Sequence, residues 1–191
     1  MTYLFSNCSF GEHEEHEFLK RAKLDKRDEC IFLNSCRPLF SRRTMFDGIP
    51  KDCWLRANYR NGKRVDYFNS TNLDVVMKEK KLFRKVYGLD CERGDGLFFV
   101  SELLDNGKFK KLYDLELDSF LPDYSRGKVP TTGLAVYWIL RTLEKKDVTL
   151  VNFRNTNEPN YNLAPCHDWM LEDSMLNSKN GVMRIDLARK S

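Results

Sequence analysis

Val129-Pro130-Thr131-Thr132-Gly133-Leu134 runs straight into Ala135-Val136-Tyr137-Trp138-Ile139-Leu140, and Asp147-Val148-Thr149-Leu150-Val151-Asn152-Phe153 follows. The first piece is apolar on every face and predicts a buried helix. The second is a short run of β-branched and apolar residues and predicts a buried strand. Two elements buried all round need partners on both sides, which an α/β sandwich supplies. Pro, two hydroxyl residues and Gly open the helix. Such a start points backbone N–H groups at whatever lies in front of it, a setting that suits a phosphate. The same residues also make an ordinary N-cap that needs no ligand.

The rest of the chain predicts strands alternating with helices. Tyr3-Leu4-Phe5 reads as a first strand, Cys30-Ile31-Phe32-Leu33 as a second and Val65-Asp66-Tyr67-Phe68 as a third. Glu12 to Lys23 predicts a helix with Phe18, Leu19 and Ala22 inward. Leu73 to Lys81 predicts another, capped by Thr71 or Asn72. Leu82 to Tyr87 and Leu97 to Val100 read as strands. Phe109 to Phe120 is ambiguous and fits a helix over a sheet edge. Ser35 to Arg64 reads as a long irregular stretch that covers the carboxyl edge of the sheet. A polar loop from Arg154 to Ala164 precedes a helix from Asp168 to about Leu176. The expected fold is α/β: a three-layer sandwich around a Rossmann-like, largely parallel sheet, in one domain over 1–191.

Asn7, Asn34 and Asn69 each fall just past a predicted strand. Ligands of open α/β sheets bind outside the carboxyl ends of the strands. An Asn amide both donates and accepts, so three of them suit a base or ribose edge. Asn is also common after strands because it favours turns.

Composition narrows the partners without choosing one. Lys and Arg number 32 against 28 acidic residues, a formal charge of +4. That mild excess allows a nucleotide, a polyanionic glycan, a membrane surface or nucleic acid. Met1-Thr2-Tyr3-Leu4-Phe5 lacks the marks of a secretory signal, and no apolar run reaches the length of a membrane span. The six cysteines never form CxxC. They read as reduced thiols of a cytoplasmic protein, with attachment to the inner face of a membrane left open.

In these motifs the chain resembles the bacterial sialyltransferases with a single Rossmann-like domain, and more distantly the animal sialyltransferases. Their glycine-rich first loop is matched by Ser6-Asn7-Cys8-Ser9, which keeps the Asn and lacks both glycines. Phe32-Leu33-Asn34 matches the end of their second strand, and Tyr67-Phe68-Asn69-Ser70 that of their third. Pro130-Thr131-Thr132-Gly133 through Leu150-Val151-Asn152-Phe153 matches their Thr/Ser-Gly helix start and the strand after it. Tyr161 lies where they carry a lid, here 154–166. Cys166-His167-Asp168-Trp169-Met170-Leu171-Glu172 matches a His that begins a helix with an acidic residue downstream.

The resemblance implies a variant GT-A/sialyltransferase-like fold. It also implies an inverting glycosyl transfer from a nucleotide-sugar donor, in that family a CMP-sugar such as CMP-sialic acid, with no metal and no further cofactor. Asn7, Ser9, Asn34, Asn69 and Ser70 would contact the nucleotide and donor. Thr131, Thr132 and Gly133 would hold ribose and phosphate, and Tyr161 the leaving phosphate. His167 would be the general base on the acceptor hydroxyl, a task that suits imidazole near neutral pH. The acceptor would be a surface, capsular or lipid-linked glycan, with nucleic acid as the lesser alternative. The competing class is a non-catalytic nucleotide- or nucleic-acid-binding module on the same fold, a reading the lost glycines favour.

Other patterns carry less. His13 and His16 share a helical face among glutamates, but their spacing is not that of HExxH. Asp114-Leu115-Glu116-Leu117-Asp118 approaches an acidic metal motif, yet it alternates with Leu as a half-buried element does. Cys166 beside His167 lacks an oxyanion loop and is poorly placed to act as its nucleophile. Arg37, Arg42 and Arg43, with Phe40 and Phe46 between, suit the acceptor side. Lys78, Lys80, Lys81, Arg84 and Lys85, with Phe83 between, suit a polyanionic acceptor, nucleic acid included, and a solvated helix face explains them at least as well.

Overall fold

The computed structural model describes residues 1–6, 12–34, 46, 48–60, 63–67, 76–78, 80–91, 97–122, 124, 127–153 and 166–187. Among the described residues nine strands form one sheet: β1 Thr2–Phe5, β2 Glu29–Leu33, β3 Lys51–Arg60, β4 Lys63–Tyr67, β5 Lys85–Cys91, β6 Leu97–Leu103, β7 Phe109–Glu116, β8 Val148–Val151 and β9 Met183–Ile185. Their order is β7-β6-β5-β3-β2-β1-β8-β9, with β4 paired to β3 off that path. The six strands from β5 to β9 are mutually parallel. The β3–β4, β5–β6 and β6–β7 pairs are antiparallel. The molecule is thus α/β with a mostly parallel sheet, compatible with a Rossmann-like sandwich.

Side-chain alternation along the central strands feeds two separate cores. Leu4, Ile31, Leu33, Trp54, Leu89 and Leu150 point to one face, where α3 (Thr132–Trp138) packs. Tyr3, Phe5, Cys30, Phe32, Cys53 and Leu55 point to the other, where α1 (Glu12–Ala22) presents Phe18. On that second face Phe18 meets Phe5 edge-on at 5.0 Å, and Phe5 stacks on Phe32 at 5.0 Å. Such ring pairs add to area burial and fix the angle at which α1 lies on the sheet. Of the inward set expected for this helix, Leu19 instead faces solvent at 39% exposed. One helical stripe suffices where Phe18 already fills the contact. Lys23, at φ 48°, ends the helix in the left-handed region.

Two expectations need correction. The third parallel strand is β3, inside the stretch read as irregular, whereas β4 only folds back along it as a hairpin. Asp52 and Arg56 interrupt the apolar run of β3 and hid it. Phe109 to Phe120 is the edge strand β7 followed by the short helix α2 (Leu117–Phe120). Tyr113 and Leu115 alternate toward the core there, while Leu112 stays out, the period-two pattern of an edge. The terminal strand β9 had no sequence signal beyond three residues.

The chain leaves β1 toward β2, β3 and β5, then returns to β8 on the other side of β1. The strand order therefore reverses between β1 and β8. In doubly wound sheets the crevice outside the carboxyl ends at such a reversal is where ligands bind. Two backbone features mark that edge. Asn34 and Asn152 follow β2 and β8 directly and adopt φ of 53° and 57°. Asn is the residue besides Gly that tolerates this left-handed geometry, so both turns are sharp.

The amino edge is closed by ion pairs. Glu29 and Asp52 are buried, and Arg84 bonds both, with Nε to Asp52 Oδ1 at 3.1 Å. Lys146 Nζ meets Glu29 Oε2 at 2.7 Å. Burial pushes the Glu29 carboxyl up, but Lys146 and Arg84 outweigh it and hold the group below its usual range. A depressed carboxyl stabilises the fold above its unfolded value of about 4.3, and that contribution is lost as pH falls through the folded value. Arg84→Ala is expected to destabilise by about 1–2 kcal/mol at neutral pH, the modest end for a pair whose cation is half exposed. The loss should shrink in acid. Urea midpoints at pH 7 and pH 4 check both statements.

Candidate functional site

The carboxyl edge gathers residues from four segments. α3 begins there with Thr131 as its N-cap, whose Oγ1 accepts the Leu134 N–H at 3.2 Å. After Trp138 the helix widens into a π-type turn, Ile139–Leu143, and Glu144 N reaches Ile139 O at 3.2 Å. Gly133 sits against the sheet edge. A Cβ there would lie 2.5 Å from Phe153 Cε1 and 3.6 Å from Leu33 Cδ1. The glycine is what lets the start of α3 reach the ends of β2 and β8. Gly133→Ala is expected to displace Phe153 and cost about 1–3 kcal/mol, as overpacking does. Equilibrium unfolding in urea tests it, and an unchanged midpoint would show the contact to be dispensable.

A buried carboxylate ties this helix start to the last helix, α4 (Trp169–Met175). Glu172 is 3% exposed. Its Oε1 accepts the Thr131 N–H at 2.8 Å and the Tyr124 hydroxyl at 2.5 Å, and its Oε2 accepts the Thr131 hydroxyl at 2.5 Å. Burial raises the Glu172 carboxyl above its usual range, and these bonds offset only part of that. Burial, with the Glu172 charge beside it, also pushes the Tyr124 phenol far up, so it stays protonated.

His167 stands next to this knot. Its Nδ1 lies 2.6 Å from the Val129 carbonyl oxygen. A carbonyl only accepts, so Nδ1 carries the proton and the lone pair of the neutral ring is on Nε2. Val129 N–H in turn donates to Cys166 O at 2.9 Å, which laces the two loops together. Asp168 caps α4 by accepting the Leu171 N–H at 3.2 Å. The Trp169 ring lies edge-on to the imidazole at 5.2 Å.

Asn34 joins from β2. It is buried, and its Oδ1 accepts the Arg56 N–H at 3.1 Å. That leaves its NH2 group as the donor it can offer. The Arg56 guanidinium reaches over to Pro130 O at 3.3 Å. A continuous chain of contacts therefore runs Asn34–Arg56–Pro130–Thr131–Glu172, with His167 attached through Val129. At the reversal itself, Ser6 donates to Asn152 O at 2.6 Å.

Of the residues singled out in the sequence, Asn34, Thr131, Thr132, Gly133 and His167 are brought to this edge. Thr131 spends both its donors on Glu172, so it supports the site rather than offering hydrogens to a ligand. Asn7, Ser9, Asn69, Ser70 and Tyr161 lie outside the described residues, as do 154–165 of the expected lid. Arg56 and Tyr124 went unread. Arg56 lies on the unrecognised strand β3, and Tyr124 sits in a segment with no periodic pattern.

No family model, curated protein or solved structure matches this chain. Among the described residues no helix is long and apolar enough to cross a membrane.

Proposed function

We propose that this protein is a glycosyltransferase of the variant GT-A/sialyltransferase-like type. It moves a sugar from a nucleotide-sugar donor, a CMP-sugar such as CMP-sialic acid, to a glycan hydroxyl. The observation that carries the reading is His167, held as the Nδ1–H tautomer at the carboxyl edge where the strand order reverses. Nε2 then takes the proton of the acceptor oxygen as that oxygen attacks the anomeric carbon and the nucleotide phosphate leaves. Inversion follows from a single displacement with the base on the acceptor side. Asn34, Thr132 and Gly133 face the donor in this reading, and Arg56 balances the Glu172 charge near its phosphate. The positive guanidinium matters because a buried carboxylate beside a phosphate otherwise repels it.

A second reading rests on that same carboxylate. Glu172 already takes the first N–H and the hydroxyl at the start of α3, which suits a binding module whose catalytic pocket is lost. A thermal-shift series with CMP, CDP, UMP, UDP, GDP, AMP and NAD separates the two. Selective stabilisation by CMP is expected, about 2.7 kcal/mol at a hundredfold excess over Kd. A shift with UDP or GDP would keep the transferase and change the donor. Silence from every nucleotide would favour the module, and a steeply salt-dependent affinity for DNA would name its partner.

A further inference from the structure

We infer that Tyr124 is a positioning residue for His167, an inference that rests on the transferase reading for its kinetic part. The Tyr124 hydroxyl stands at the junction of three segments. It accepts the Asp168 N–H at 2.9 Å, donates to Glu172 Oε1 at 2.5 Å, and lies 3.0 Å from Val129 O. Asp168 follows His167 in the chain, and Val129 O is the acceptor of the His167 Nδ1–H. One oxygen therefore borders both ends of the bond that sets the imidazole tautomer.

A hydroxyl has one proton, and the carboxylate is the stronger and nearer acceptor. Glu172 takes it, and Val129 O accepts the His167 Nδ1–H. Without the Tyr oxygen the Asp168 N–H loses this acceptor, and the backbone at His167 loses its tie to Tyr124, while the Val129 N–H bond to Cys166 O stays. Tyr124 itself is 6% exposed, and its oxygen is engaged by Glu172 and the Asp168 N–H. Its effect passes through the ring it holds.

The test is long-range proton–nitrogen NMR of the histidine side chains. His167 is assigned by its disappearance in His167→Ala, against His13 and His16. Wild type is expected to show a single Nδ1–H tautomer, and Tyr124→Phe a mixture. With CMP-sialic acid as donor, kcat should fall about 100-fold, the scale of an ångström of misplacement, with KM for donor unchanged within about threefold. A retained Nδ1–H tautomer in Tyr124→Phe overturns the inference whatever happens to the rate. A tautomer change in a chain that transfers no sugar supports the positioning and sinks the transferase reading. Should Tyr124→Phe fail to fold, wild type decides alone. A solvent-protected Tyr124 hydroxyl proton with a nuclear Overhauser contact to the Asp168 amide supports the inference, and its absence overturns it.

Discussion

His167→Ala is expected to lower sugar transfer by about 10²–10⁴-fold, the usual contribution of a positioned general base, while the CMP-induced thermal shift stays at its wild-type size. Two features of the site produce that split. The imidazole is tied to Val129 O through Nδ1, so what the alanine removes at Nε2 is a proton acceptor. The nucleotide groups of the proposed site, Asn34, Thr132 and Gly133, are held by other contacts. Asn34 is fixed through the Arg56 amide, and Gly133 by its fit against Leu33 and Phe153. Neither depends on the ring. The measurement is single-turnover transfer from CMP-sialic acid beside nucleotide titration of the same preparation. A variant that keeps wild-type transfer removes His167 from the chemistry. A variant that loses the CMP shift makes His167 a binding group instead.

How the sequence announced this site follows from where each constraint acts. The strands β1, β2 and β8 are buried on both faces and so appear as short runs of apolar and β-branched residues, and the α3 start carries its own punctuation in Pro, Thr and Gly. Those elements were legible, whereas the reversal of strand order between β1 and β8 came only with the structure. β3 was not, because Asp52 and Arg56 serve tertiary partners: Asp52 receives Arg84, and Arg56 spans from Asn34 to Pro130. Polar residues that earn their place through distant contacts look like loop residues in one dimension. Tyr124 is the same case at its limit. Its bonds reach Glu172 and Asp168, more than forty residues on, and nothing in its neighbourhood marks it. Glu172 was visible only as an acidic position after His167. Its role as the acceptor for Thr131 and Tyr124 needed the two helices side by side.

Glu172→Ala is expected to destabilise the fold by about 3 kcal/mol, the lower end for breaking a buried charged network. Three donors lose their acceptor. The hydroxyls of Thr131 and Tyr124 can rotate, Tyr124 toward Val129 O at 3.0 Å, but the Thr131 N–H is fixed and stranded. Relief from burying a carboxylate offsets part of the cost. Glu172→Gln keeps an oxygen for the Thr131 and Tyr124 donors and turns an NH2 toward Thr131 Oγ1. It should stay within about 1 kcal/mol of wild type. The two variants also differ in pH behaviour. The folded value of Glu172 is raised, so its contribution is full below the unfolded value of about 4.3 and is lost as pH rises through the folded value. Its sign is opposite to that of Glu29 at the other edge of the sheet. Removing this titration should make Glu172→Gln gain on wild type as pH climbs from 4 to 7. Urea unfolding across that range reads the gain directly. A constant difference between the two curves would mean that Glu172 does not titrate with folding, and a Glu172→Ala midpoint equal to wild type would mean that Thr131 and Tyr124 are held by something else.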